Sequence, residues 1–155
     1  MPGRGETAMR IAYEDEIAKP PEVVFPWIAE PEKAMKWQKN VKGGEVIVDK
    51  PEIVGTTFRE VIEENGNTLE MRGTITQYVK NSSMGFHIVS KIHEFDVSYS
   101  LEPNGENTRI KIEAAIRWKF PMSIISLFMR KKMAHNLTAE LESEVLQLKN
   151  ICETL

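Results

Sequence analysis

The sequence predicts an α+β protein: an antiparallel sheet of about seven strands with one buried face, two short helices after the first strand, and a long C-terminal α-helix over the sheet. Three observations carry this. Apolar and polar residues alternate with period two through much of residues 10–119. Asn65-Gly66 and Asn104-Gly105 interrupt the alternation as tight hairpins, because both residue types accept positive φ. From Met129 the period changes: Met129, Met133, Leu137, Leu141, Val145, Leu148 and Cys152 recur at spacings of three and four, one face of a helix.

Residues 10–19 form the first strand, with Ile11, Tyr13 and Ile17 on one side and Arg10, Glu14 and Glu16 on the other. Pro20-Pro21-Glu22 opens a helix, since proline is tolerated in a first turn and a carboxylate suits the positive helix end. Val23, Val24, Trp27 and Ile28 supply its apolar stripe. Glu30-Pro31-Glu32 starts a second short helix toward Trp37, and residues 41–44 break it. Strands are then expected over 45–48, 56–64, 68–79, 84–90, 93–101 and 108–120. Leu69, Met71, Gly73 and Ile75 share a phase, as do Phe95, Val97, Tyr99 and Leu101. In the last strand Ile110, Ile112, Ala114, Ile116 and Trp118 oppose Arg109, Lys111, Glu113, Arg117 and Lys119. Pro121 ends the sheet, and one helix is expected over 122–153 to cover it.

A chain of 155 residues suits one domain, expected over 10–155, with residues 1–9 as a loose tail. With 41% hydrophobic and 28% charged residues it is globular in composition and not of the disordered class. Twenty Lys and Arg against 23 Asp and Glu leave a charge of −3, which argues against nonspecific nucleic-acid binding. The single cysteine, Cys152, excludes an internal disulfide and a multi-cysteine metal site. Residues 1–9 lack the apolar core of a secretory signal, and the most apolar run, 120–129, falls short of the roughly 18–20 residues that span a bilayer. A cytoplasmic location is the expectation.

Several local features resemble one family. Ile17-Ala18-Lys19-Pro20-Pro21-Glu22-Val23-Val24-Phe25 is similar to its entry into the first helix, and Trp37 stands where a tryptophan commonly follows the second helix. Val54-Gly55-Thr56-Thr57-Phe58 is similar to its strand start, and Asn136-Leu137, Glu140-Leu141 and Leu148-Lys149 to Glu153 to its C-terminal helix. In order and spacing these resemble the START/Bet v 1-like (SRPBCC) superfamily, in its polyketide cyclase/dehydrase and lipid-transport branch. The resemblance covers about residues 9–153. It implies a helix-grip fold, a curved sheet wrapped round the long helix, with an apolar cavity between them. Members bind lipids, sterols, polyketides or plant hormones, and a few catalyse cyclisation or dehydration. In the aromatic-polyketide cyclases an arginine projects inward from the strand after the first hairpin. Here the residues in phase are Leu69, Met71, Gly73 and Ile75, and Arg72 is in the other phase, a departure from the cyclase pattern.

Little else carries chemistry. His87, His93 and His135 fall in separate elements with no paired spacing, so no metal site is expected. Cys152 lies on an apolar helix face near a C-terminus, where the dipole raises a thiol pKa; it suits packing better than catalysis. Gly43-Gly44 lacks a following Lys-Ser/Thr and is expected as a turn, not a phosphate loop. No cofactor is expected. Glu60 shares a phase with Phe58 and Ile62 and is the candidate for a catalytic acid or base, because an apolar cavity would raise its pKa. Thr57, Arg59 and Val61 form the competing phase.

The candidate ligand-binding residues are Trp37, Phe58, Glu60, Met71, Phe86, Phe95, Tyr99, Trp118, Met129 and Met133. Methionine adapts to irregular ligand shapes, and aromatic rings supply large contact area. Their plain alternative is a core packed solid. Gly73, in mid-strand, marks a bend or leaves room for ligand. Residues 120–132, Phe120 to Lys132, are apolar round most of a helix and end in three cations. The expectation is that flanking elements bury both faces; exposed, the segment would be a weak membrane or dimer contact. The leading function is binding or transport of a small hydrophobic ligand. The alternatives are a polyketide cyclase/dehydratase-like enzyme and an interaction module using the 120–132 surface. The oligomeric state is left open.

Overall fold

The computed structural model describes residues 8–64 and 66–155. Residues 1–7 of the expected tail, and Asn65 of the first hairpin, lie outside the described residues, whereas Ala8 and Met9, also expected in the tail, are buried and Met9 opens the first strand. The elements run β1 (Met9–Ile17), α1 (Pro21–Ala29), α2 (Pro31–Ala34), β2 (Val41–Val48), β3 (Thr57–Glu64), β4 (Asn67–Val79), β5 (Ser83–Val89), β6 (His93–Asn104), β7 (Asn107–Trp118), α3 (Met122–Phe128) and α4 (Arg130–Glu153). The strands form one antiparallel sheet in the order β1-β7-β6-β5-β4-β3-β2. The first strand closes against the last, and β3 to β7 follow as a hairpin meander. This is the helix-grip α+β arrangement.

Period-two patterning selects the buried face. One row across it runs Phe58, Gly73, Ile88, Phe95, Ile116 and Met9 on six neighbouring strands. The solid core occupies one end of the molecule. Ile17, Val24, Ile110, Ile112, Val145, Leu148 and Cys152 are at most 1% exposed there. They join the C-terminal half of α4 to α1, β1 and the β6–β7 hairpin. Burial pushes the Cys152 thiol up to about 11, as expected of a packed cysteine.

Three expectations are corrected. Gly43 and Gly44 lie in β2, not in a turn: β2 starts at Val41, pairs with Ile62 of β3, and carries a shift between Val41 and Gly43. Two glycines supply no side chains to alternate, so the pattern understated the strand. The expected 122–153 helix is two helices broken at Met129, whose φ of −117° and ψ of 23° leave the helical region. The spacing of four from Met129 to Met133 passes through the break without a trace. Finally, α3 is not covered: Phe120, Leu127 and Phe128 are 76%, 68% and 85% exposed.

Candidate functional site

The N-terminal half of α4 does not pack onto the sheet as its C-terminal half does. A hollow of about 410 Å³ remains between them. Its floor is the inner face of β3 to β7, its side is α2 with residues 37–40, and its roof is Leu137, Glu140, Leu141 and Glu144 of α4.

Eight of the ten candidate residues line it: Trp37, Phe58, Glu60, Met71, Phe86, Phe95, Tyr99 and Trp118. Met129 and Met133 do not. The break at Met129 takes both away from the roof, and Met129 is 41% exposed.

The aromatic members form a connected wall. Trp37 meets Tyr99 edge-on at 6.3 Å, Tyr99 meets Phe86 at 6.1 Å, and Phe86 meets Phe58 at 5.7 Å. Such pairs hold their rings by about 0.5–1.5 kcal/mol each beyond burial, which keeps the wall rigid. Trp37 is fixed further: its Nε1 donates to the Trp27 carbonyl at 2.7 Å. Gly73 makes room for this wall. A Cβ there would lie 2.2 Å from the Phe58 ring. Gly73→Ala is therefore expected to force Phe58 aside and to cost about 1–3 kcal/mol of stability by overpacking, measured by urea unfolding.

The polar groups of the hollow gather near Tyr99. Glu60 faces inward with Phe58 and Ile62, and burial raises its pKa. Glu144 is raised to about 7, chiefly by burial, while the Lys39 backbone N–H donates to its Oε2 at 2.7 Å and pulls the other way. Tyr99 is held far above the usual phenol range by burial, then by the charges of Glu144 and Glu60, and its side chain is hydrogen-bonded to Gln38. At the other end His93 packs on Trp118 and Phe95, and its Nδ1 lies 2.7 Å from the Ser90 Oγ. Burial lowers the His93 pKa. The Trp118 Nε1 is buried there with no hydrogen-bond partner among the described residues.

Pattern reasoning missed Gln38, Glu140 and Glu144. A signal for the two glutamates existed. Glu140 follows Leu137 by three, and Glu144 follows Leu141 by three and precedes Leu148 by four, so both belong to the apolar face of α4. Arg72 is exposed on the outer face. Arg59 also turns outward, bonded to Glu45 and Glu70. His87 lies between Glu94 and Asp96 in a surface network with Arg117. Among the described residues no cluster of three or more His, Cys, Asp or Glu is placed to hold a metal ion, and no helix is long and apolar enough to cross a membrane.

The antiparallel sheet packed on a long C-terminal helix, together with a family match over nearly the whole chain, places the protein in the START/Bet v 1-like (SRPBCC) superfamily. Within it, the chain belongs to the polyketide cyclase / dehydrase and lipid transport family, whose match spans residues 8–153. Among solved structures it is similar to TTHA0849 from Thermus thermophilus, with 20% identity, TM-score 0.77, and coverage of 92% of this chain and 96% of that one. It is also similar to a START superfamily protein from Mycobacterium smegmatis, at 15% identity and TM-score 0.65, covering 88% and 98%. The third likeness is to Ara h 8.0201, at 14% identity and TM-score 0.67, covering 96% and 99%. At these identities the likeness establishes the fold. No curated protein matches the sequence.

Proposed function

We propose that the protein binds or carries a small hydrophobic ligand in the hollow between the sheet and α4. The observation that carries this is the hollow itself: about 410 Å³ bounded by aromatic, methionine and aliphatic side chains. The ligand is flat or flexible, with a polar end beside Glu60, Tyr99 and Glu144.

The charges narrow the class. Glu60, Glu140 and Glu144 line the hollow, and of the two cations beside it Arg59 is already paired with Glu45 and Glu70. A ligand carboxylate would be desolvated against carboxylates, so neutral ligands are preferred over anionic ones. At pH 8, 2-naphthylmethanol is expected to bind at least about tenfold tighter than 2-naphthoate, roughly 1.4 kcal/mol. The gap narrows in Glu60→Gln/Glu144→Gln. A tighter 2-naphthoate complex in the wild type would remove this ligand class.

A second reading is a cyclase/dehydratase-like enzyme. It is favoured by Glu144, with a pKa near 7, sharing one hollow with Glu60 and Tyr99, which suits proton transfer to and from a bound ketone or enol. For any substrate found, Glu144→Gln then removes turnover and retains binding. Unchanged turnover would remove Glu144 from the mechanism.

A further inference from the structure

We propose that the α3 face docks on an anionic membrane surface at one end of the hollow. The proposal goes beyond ligand binding and does not require a ligand.

Phe120, Ile124, Leu127 and Phe128 are 76%, 47%, 68% and 85% exposed, with Ile125 and Met129 exposed beside them. That is a continuous apolar ridge, far from the scattered single apolar residues of an ordinary surface. A convex helix of this kind inserts shallowly into a lipid interface, and large apolar side chains on a short helix give it the necessary contact.

Charge selects the occupant. From Ala114 to Ala139 the sequence holds Arg117, Lys119, Arg130, Lys131 and Lys132 and no Asp or Glu, in a chain of net charge −3. Arg117 is paired with Asp96, and Lys119 donates to the Ser90 carbonyl. The Arg130 side chain donates to the Ala8 carbonyl and keeps its charge. Lys131 and Lys132 are exposed. This cationic rim complements anionic headgroups, at about 1 kcal/mol per basic residue near the surface. A second copy of the chain fits less well, because a two-fold contact would set the rim against itself.

The position gives the docking a use. Trp118 and Leu137, which flank α3 in the chain, both line the hollow, and the Lys119 N–H bonds the Ile92 carbonyl on its wall. A docked α3 thus brings that end of the hollow to the lipid surface, where an apolar ligand is collected or released without crossing water.

The test is co-sedimentation of the full chain with vesicles of phosphatidylcholine alone or with added phosphatidylglycerol. The wild type is expected to pellet with the anionic vesicles and to be released by high salt. Leu127→Glu/Phe128→Glu lowers the bound fraction at least tenfold, with an unchanged melting temperature, since both side chains already face water. Lys131→Glu/Lys132→Glu abolishes the preference for anionic lipid. A wild type that stays in the supernatant with both vesicles, or a Leu127→Glu/Phe128→Glu variant that binds equally, overturns the proposal. So does a solution dimer dispersed by that variant in a protein without vesicle binding, which would assign the face to a second copy.

Discussion

Ala114→Phe is expected to weaken binding of a neutral, flat apolar probe such as N-phenyl-1-naphthylamine by about a hundredfold, roughly 2.7 kcal/mol, while the fold is retained. Ala114 stands on β7 between Ile112 and Ile116, opposite Val97 of β6 and Ile11 of β1. It is a small residue in the floor of the hollow, in the phase that faces α4. A benzyl group added there fills space that ligand would occupy. The stability readout separates a hollow from a solid core. In a packed interior the same change forces neighbours aside and costs about 1–3 kcal/mol. In a hollow it buries a ring against Val97 and Phe95 and leaves the melting temperature unchanged or raised. Fluorescence titration and thermal unfolding of the two proteins measure both effects.

The second large effect is on pH dependence. A glutamate normally releases its proton near 4.5, whereas Glu144 in the folded chain holds it to about 7. Between these values the folded state binds more protons than the unfolded one, so stability falls as pH rises. Glu144 thus favours the fold most below about 4.5 and costs it most above about 7, by about 3 kcal/mol in all. Glu60, also raised by burial, acts in the same direction. Glu144→Gln removes the titration and keeps an oxygen to accept the Lys39 N–H. The variant is expected to match the wild type at pH 4.5 and to exceed it by up to about 3 kcal/mol at pH 8, in urea unfolding. A difference that does not change with pH would mean that this carboxylate is solvated.

The fold was legible because period-two alternation survives on every strand with a buried face. Phe95 to Leu101 and Ile110 to Trp118 stand in the structure on the face their phase assigned. Edge strand β2 was half hidden because Gly43 and Gly44 contribute no side chains. The floor of the hollow was legible for the same reason as the sheet, and Phe58, Met71, Phe86 and Tyr99 lie where alternation sends them. Its roof was not. Glu140 and Glu144 share a face with Leu137, Leu141 and Leu148, but a search for apolar residues at helical spacing passes over the polar ones. The same limit applies to α3. Its residues are apolar round most of the helix, and composition alone suggested burial, whereas Leu127 and Phe128 stand in solvent.

The ligand site proposed between the sheet and α4 is open to one decisive measurement. Native mass spectrometry of the protein incubated with N-phenyl-1-naphthylamine tests it most directly. The predicted spectrum contains one probe molecule per chain, lost on denaturation and missing from Ala114→Phe. A bare chain at saturating probe, or the same adduct on Ala114→Phe, would contradict it.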